Sequence, residues 1–249
     1  MHTAAEVKEA LAEVSDVEDA AFLQRFFKTG PGQYGEGDVF IGVRVPATRA
    51  VVKRFKDLPL EEIDTLLDSE VHEHRLAGLI ILNGLFDVAS RARVRSNVTG
   101  RDDAARERIA AFYLAAVRRG RVNNWDLVDG SAEFVLGEYL YDRPRDLLPQ
   151  LAASEILWER RVAVLSSFAF VKLGDASTTL ELAAQLLEDR EDLMHKAVGW
   201  MLREVGKRVD PAMLTGFLDV HAARMPRTML SYATEHLAPD VRAAYRAAR

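Results

Sequence analysis

Three short stretches of this 249-residue chain set aromatic, acidic and basic side chains at spacings that could do chemistry. In Val122-Asn123-Asn124-Trp125-Asp126-Leu127-Val128-Asp129 an asparagine can cap a helix, and Trp125 and Asp129, four residues apart, then project from one face near its start. A carboxylate held beside an indole is a usable site, as a fixed negative charge or a proton acceptor. The plainer account is a first-turn aspartate favoured by the helix dipole beside a core tryptophan. Over Asp192 to Arg208, Met194, Ala197, Val198, Met201 and Val205 form an ordinary core stripe, and Trp200 lies off it. Trp200 shares another face with Lys196, Arg203 and Lys207, which makes either a solvated basic face or a stripe that tracks phosphates and offers one ring to a base or sugar. In the third stretch, Ile156 to Leu165, Arg161 is in line with Leu165 and Lys172 and borders an apolar stripe. Read by itself it is a snorkelling or ion-paired arginine, while Trp158 reads as a packing residue at the helix start.

The elements that must position these residues are helices. Apolar residues recur with helical period at Leu11, Val14, Val17, Ala20, Ala21 and Leu23, at Leu76, Leu79 and Ile80, and at Ile109, Phe112, Leu114 and Ala115, with no sustained strand-like alternation. Prolines at 46, 59, 144, 211, 226 and 239 each precede a new apolar run, as first-turn prolines do, and about a dozen helices are expected. Glycine and proline concentrate in Gly30 to Asp38, followed by Val39 to Pro46. This long non-helical segment is expected to pack as a loop across neighbouring helices, or else to be a linker. Helix pairs of about 35 to 45 residues recur, and Trp125, Trp158 and Trp200 fall 33 and 42 residues apart. The expected fold is therefore all-α: a single domain over residues 1–249, a HEAT-like solenoid whose concave side forms a groove for an elongated partner.

Composition removes several classes of function. With no cysteine, thiolate zinc sites, iron–sulfur clusters and thiol nucleophiles are excluded, and nothing ties the chain to an oxidising compartment. The amino terminus has no apolar leader and no stretch approaches the roughly 20 apolar residues of a membrane helix, so a cytoplasmic protein without membrane contact is expected. A net charge of -5 argues against a globally basic domain, although acidic residues crowd the first helices and basic ones recur later. His72-Glu73-His74 would point its imidazoles to different faces of a helix, which suits a solvated helix start better than a metal site. Gly30 to Gly37 lacks the Gly-Lys-Ser/Thr ending of a phosphate loop, and no cofactor is implied.

Taken together, Trp125-Asp126-Leu127-Val128-Asp129, Trp158-Glu159-Arg160-Arg161 and Gly199-Trp200-Met201-Leu202-Arg203-Glu204 resemble the motifs of the AlkD-like family of alkylpurine DNA glycosylases. Gly35 to Pro46 and Met225-Pro226-Arg227-Thr228-Met229-Leu230 extend the resemblance from about residue 25 to residue 236, in matching order. The resemblance implies base excision of cationic N3- and N7-alkylated purines from duplex DNA on an open surface, without a base-reading pocket. It implies that Asp129 is the carboxylate nearest the reacting sugar, that Trp125 and Trp200 flank the deoxyribose, and that Arg161 completes the cluster, holding a phosphate beside the lesion. Lys196, Arg203, Lys207 and Arg227 would follow the DNA backbone. The alternatives are a non-catalytic DNA-binding repeat protein and a protein-interaction scaffold. A monomer is expected.

Overall fold

A computed structural model describes residues 2–91 and 100–247, whose regular structure is helical. They form two compact units, Met1–Val135 and Leu136–Arg249.

The amino-terminal unit contains α1 (Ala4–Ala12), α2 (Val17–Gln24), α3 (Val45–Val52), α4 (Leu60–Leu67), α5 (His72–Ser90), α6 (Asp103–Arg118) and α7 (Trp125–Asp129). Thr3 starts α1 with a reciprocal cap: its hydroxyl accepts from the Glu6 amide and its own amide donates to the Glu6 carboxylate. Helices α4 and α5, joined by four residues, pack against each other and close the core through Ile63, Leu66, Leu67, Leu79 and Leu82. The early apolar run behaves differently from its periodicity. Asp16 caps α2 by accepting from the Asp19 amide, which resets the helical phase, so Val14 and Val17 are exposed and α2 buries no residue. On α6 the buried residues are Arg106, Ile109, Ala110, Tyr113, Ala116 and Val117; Phe112 and Leu114 flank them half-buried and Ala115 is exposed, a shift of one position from the sequence reading.

The glycine- and proline-rich segment is a packed loop. It pairs through an isolated parallel bridge between Val39 and Val71 at the entry to α5, where the His72 amide donates to the Val39 carbonyl at 2.8 Å. Beyond it, the amides of Ile41, Gly42 and Val43 all donate to the buried carboxylate of Glu73. Glu73 thus satisfies loop donors that would otherwise be buried without partners. Gly42 has φ +80° and lies so close to α2 that a Cβ there would stand 1.9 Å from the Asp16 carbonyl oxygen, so no other residue fits.

A π-helical turn, Glu133–Gly137, leads into α8 (Glu138–Leu140). The carboxy-terminal unit then runs through α9 (Leu147–Ala152), α10 (Leu157–Ser166), α11 (Phe168–Lys172), α12 (Ser177–Gln185), α13 (Asp192–Arg208), α14 (Pro211–His221), α15 (Arg227–Ala233) and α16 (Pro239–Ala247). Helix α13 is its hub and buries Met194, Ala197, Val198, Met201 and Val205 as the periodicity requires. Helix α15 crosses it at Gly199, where a Cβ would meet the Met229 carbonyl oxygen at 2.5 Å. Pro211 and Pro239 are first helical residues, Pro46 is the second, and Pro59 and Pro226 occupy the N-cap. Pro144 lies three residues before α9.

Candidate functional site

In the amino-terminal unit, Asn124 caps α7: its side-chain oxygen accepts from the Trp125 amide at 2.9 Å. Trp125 and Asp129 are both half-buried on this short helix. The first-turn acidic position belongs to Asp126, and Asp129 begins the second turn, so stabilisation by the helix N-terminus does not account for Asp129. Behind Asp129 lies Tyr113, fully buried, its hydroxyl 2.9 Å from that of Ser131. Burial and the nearby Asp129 charge push the Tyr113 phenol far up, so it stays protonated and neutral.

Beneath Trp125 lies a cluster that motif reading missed. The indole stacks on Phe27 with centroids 5.4 Å apart, Phe27 stacks on Phe40 at 4.9 Å, and Phe40 stacks on the His72 imidazole at 4.8 Å. His72 is only 3% exposed. Its Nε2 lies 2.8 Å from Asp126 Oδ2 and its Nδ1 3.3 Å from Asp38 Oδ2. Asp38 also accepts from Arg75 Nη2 at 2.5 Å and from Asn124 Nδ2 at 2.9 Å, which ties the loop to α5 and to the cap of α7. The expectation of a solvated start for α5 is therefore corrected: His72 and Glu73 are buried because the loop folds over them and gives each a polar partner. Both ring nitrogens of His72 face carboxylates.

These contacts decide the charges. Burial opposes protonation of His72, but hydrogen bonds to Asp126 and then Asp38 outweigh it and push the imidazole up to about 9. Burial alone would raise Asp38; its bonds with His72, Arg75 and Asn124 keep it below the usual carboxylate range. His74 goes the other way, to about 4, because burial and the charges of Lys8 and Arg75 disfavour its protonated form. Two imidazoles two residues apart thus make opposite contributions. The His72 contribution to stability is complete below the unfolded value of about 6.5 and is lost as pH rises through 9. The His74 contribution is complete above about 6.5 and is lost as pH falls towards 4. Urea unfolding across this range should show maximal stability near pH 6.5, with His72→Gln removing the alkaline decline.

In the carboxy-terminal unit, Trp200 is half-buried on α13, its ring 5.8 Å from Phe168, over which Lys172 and Arg208 place their charges. The predicted cationic row is present on α13, and two of its members hold intramolecular partners. Lys196 lies 2.7 Å from Asp192, and Arg203 reaches Glu235 of the segment after α15. Glu204, buried, accepts from Arg208 at 2.6 Å. Lys207 is exposed. Arg227 is exposed at the start of α15 and donates to the Arg246 carbonyl at 2.9 Å. Arg161 is 4% exposed and its Nη1 donates to the Leu193 carbonyl at 2.5 Å, tying α10 to the first turn of α13. Trp158 is buried, a packing residue as its position suggested.

The helices carry Trp125-Asp126-Leu127-Val128-Asp129 and Gly199-Trp200-Met201-Leu202-Arg203-Glu204, the stretches that resemble DNA alkylation repair proteins, and comparison with known proteins shows the family. The family model described as "DNA alkylation repair enzyme" matches residues 7–237, and the chain belongs to that family. Its work is the repair of alkylated DNA, and DNA is its partner. Among solved structures, one described as a predicted DNA alkylation repair enzyme from Enterococcus faecalis superposes with a TM-score of 0.67 at 18% identity, covering 90% of this chain and 97% of that one. It shares the fold. No curated protein matches significantly. Among the described residues no helix is long and apolar enough to cross a membrane.

Proposed function

We propose that this protein is a DNA glycosylase that hydrolyses the N-glycosidic bond of cationic N3- and N7-alkylated purines in duplex DNA. The observation that supports the reading is that Trp125 and Asp129 stand four residues apart on one short helix, both half-buried and so within reach of solvent and ligand. Water adds hydroxide to the sugar C1′, the base leaves with the bonding electron pair that neutralises its ring, and one proton is released. Because the leaving group becomes neutral, little acid catalysis is needed. The protein supplies a fixed carboxylate, Asp129, beside the positive charge that develops on the sugar, and it can orient the attacking water.

Trp125 and Trp200 offer negative ring faces to an electron-poor sugar or base, each worth on the order of 0.5 to 2 kcal/mol. Arg161 is assigned to a phosphate beside the lesion, and its bond to Leu193 holds the guanidinium in a fixed orientation. Lys196, Arg203, Lys207 and Arg227 are assigned to the backbone. The ion pairs of Lys196 and Arg203 must be exchanged for phosphates, so Lys207 should contribute most simply. Lys207→Ala is expected to weaken duplex binding and lower the log–log salt slope by about 1, measured by fluorescence anisotropy over a salt series. The protein acts as a cytoplasmic monomer without cofactor.

The reading is tested by incubating methylated duplex DNA with the purified chain and measuring free base. Release of 3-methyladenine or 7-methylguanine above the spontaneous rate supports it. Salt-dependent binding without release would leave a DNA-binding repeat protein, and no binding even at low salt would leave a protein scaffold.

A further inference from the structure

Two independent routes connect His72 to Trp125. One is polar: His72 Nε2 holds Asp126, the next residue after Trp125, while Asp38 binds both His72 and the Asn124 side chain that caps the Trp125 amide. The other is aromatic, the continuous stack from His72 through Phe40 and Phe27 to the indole. Of the residues on these two routes, only Trp125, at the end of both, bears an assigned contact with the sugar. An array of the buried Asp38, His72 and Arg75 with the half-buried Asp126 is not the cheapest way to fill this space, since well-packed apolar side chains would do as well for stability. What such an array provides is geometry.

We propose that His72 is a positioning residue of the glycosylase site: clamped between Asp38 and Asp126 and stacked under Phe40 and Phe27, it sets the place and tilt of the Trp125 indole against the deoxyribose. The inference rests on the function proposed above. His72 acts through Trp125 and touches neither base nor sugar. The charged groups facing it are Asp38 from the loop, Asp126 from α7 and Arg75 from its own helix, and the Glu73 carboxylate is turned to the loop amides. While His72 is protonated these four charges of His72, Arg75, Asp38 and Asp126 balance. Loss of its proton leaves one net negative charge and removes a donor from either Asp38 or Asp126, so the floor under the indole loosens.

The test uses the full chain and reads structure and rate separately. The Trp125 indole and the His72 imidazole are followed by nitrogen NMR between about pH 6 and 10, the indole signal being assigned with Trp125→Phe. Single-turnover release of 7-methylguanine is measured over the same range. The Trp125 signal is expected to move with the His72 midpoint and the rate to fall with it. His72→Gln should lower the rate roughly tenfold with duplex affinity within about twofold, and should abolish the alkaline limb. Trp125→Phe should cost less in the His72→Gln background than alone, because both act on one element. An indole signal indifferent to His72, or fully multiplicative losses, would overturn the proposal. If His72→Gln does not fold, Phe27→Leu breaks the stack and leaves the ion cluster, and the wild-type titration still decides. Absence of any base release by the wild type would defeat the glycosylase reading, whereas the NMR titration alone decides whether His72 positions Trp125.

Discussion

Asp129→Asn is expected to reduce single-turnover base release by about 10²- to 10³-fold while leaving duplex affinity nearly unchanged. The substitution keeps the shape, removes the charge and turns one acceptor oxygen into an NH2 donor. A negative charge that acts on the developing oxocarbenium ion is felt in the transition state, so its loss appears in the chemical step and not in binding. Asp129 is half-buried on α7 near the neutral Tyr113, and urea unfolding of the variant shows separately any cost to stability. Rates measured at saturating protein, with occupancy checked by anisotropy, separate the two effects. A loss confined to affinity would make Asp129 a DNA-binding residue.

The second large effect is on folding. Gly42→Ala forces a left-handed backbone on a residue with a side chain and drives its Cβ into the Asp16 carbonyl, an obstacle of backbone that no rotamer change can move. The two costs together should exceed roughly 3 kcal/mol, a drop in Tm of roughly 6 to 12 °C for a chain of this size. Gly32→Ala is the matched control. Its φ is +72°, yet no atom lies within 4 Å of the added Cβ, so only the conformational term, about 1 kcal/mol, should appear. Thermal unfolding of both variants isolates the close approach of loop and α2. Because the Gly42 loop carries Asp38 and Phe40, Gly42→Ala should also lower activity where the protein is still folded.

What could be read from the chain was whatever its local geometry controls. The α13 core stripe follows from helical spacing alone, as does the placing of Trp125 and Asp129 on one helix, and so could the Lys196–Asp192 ion pair, which joins residues four apart. The contacts that bypass helical spacing were hidden. His72 meets Asp38 across 34 residues and Asp126 across 54, and the loop that brings Asp38 and Phe40 to it has no periodicity to announce where it packs. Arg161 reaches Leu193, and Arg203 reaches Glu235, each across 32 residues, so neither partner was visible from the spacing that singled out the arginines. The resemblance pointed to Trp125 and Asp129. It said nothing of the stacked rings and paired charges that hold Trp125 in place.

A glycosylase breaks the bond between base and sugar and leaves the strand whole. A duplex carrying a single 7-methylguanine, followed by mass spectrometry of both the released base and the DNA strand, tests it most directly. Free 7-methylguanine and an abasic site formed in equal amounts, with the sugar–phosphate backbone intact, is the predicted result. Recovery of unmodified guanine still attached to its strand would show direct removal of the alkyl group, and bound DNA with its lesion unchanged would show no catalysis; either would contradict the account.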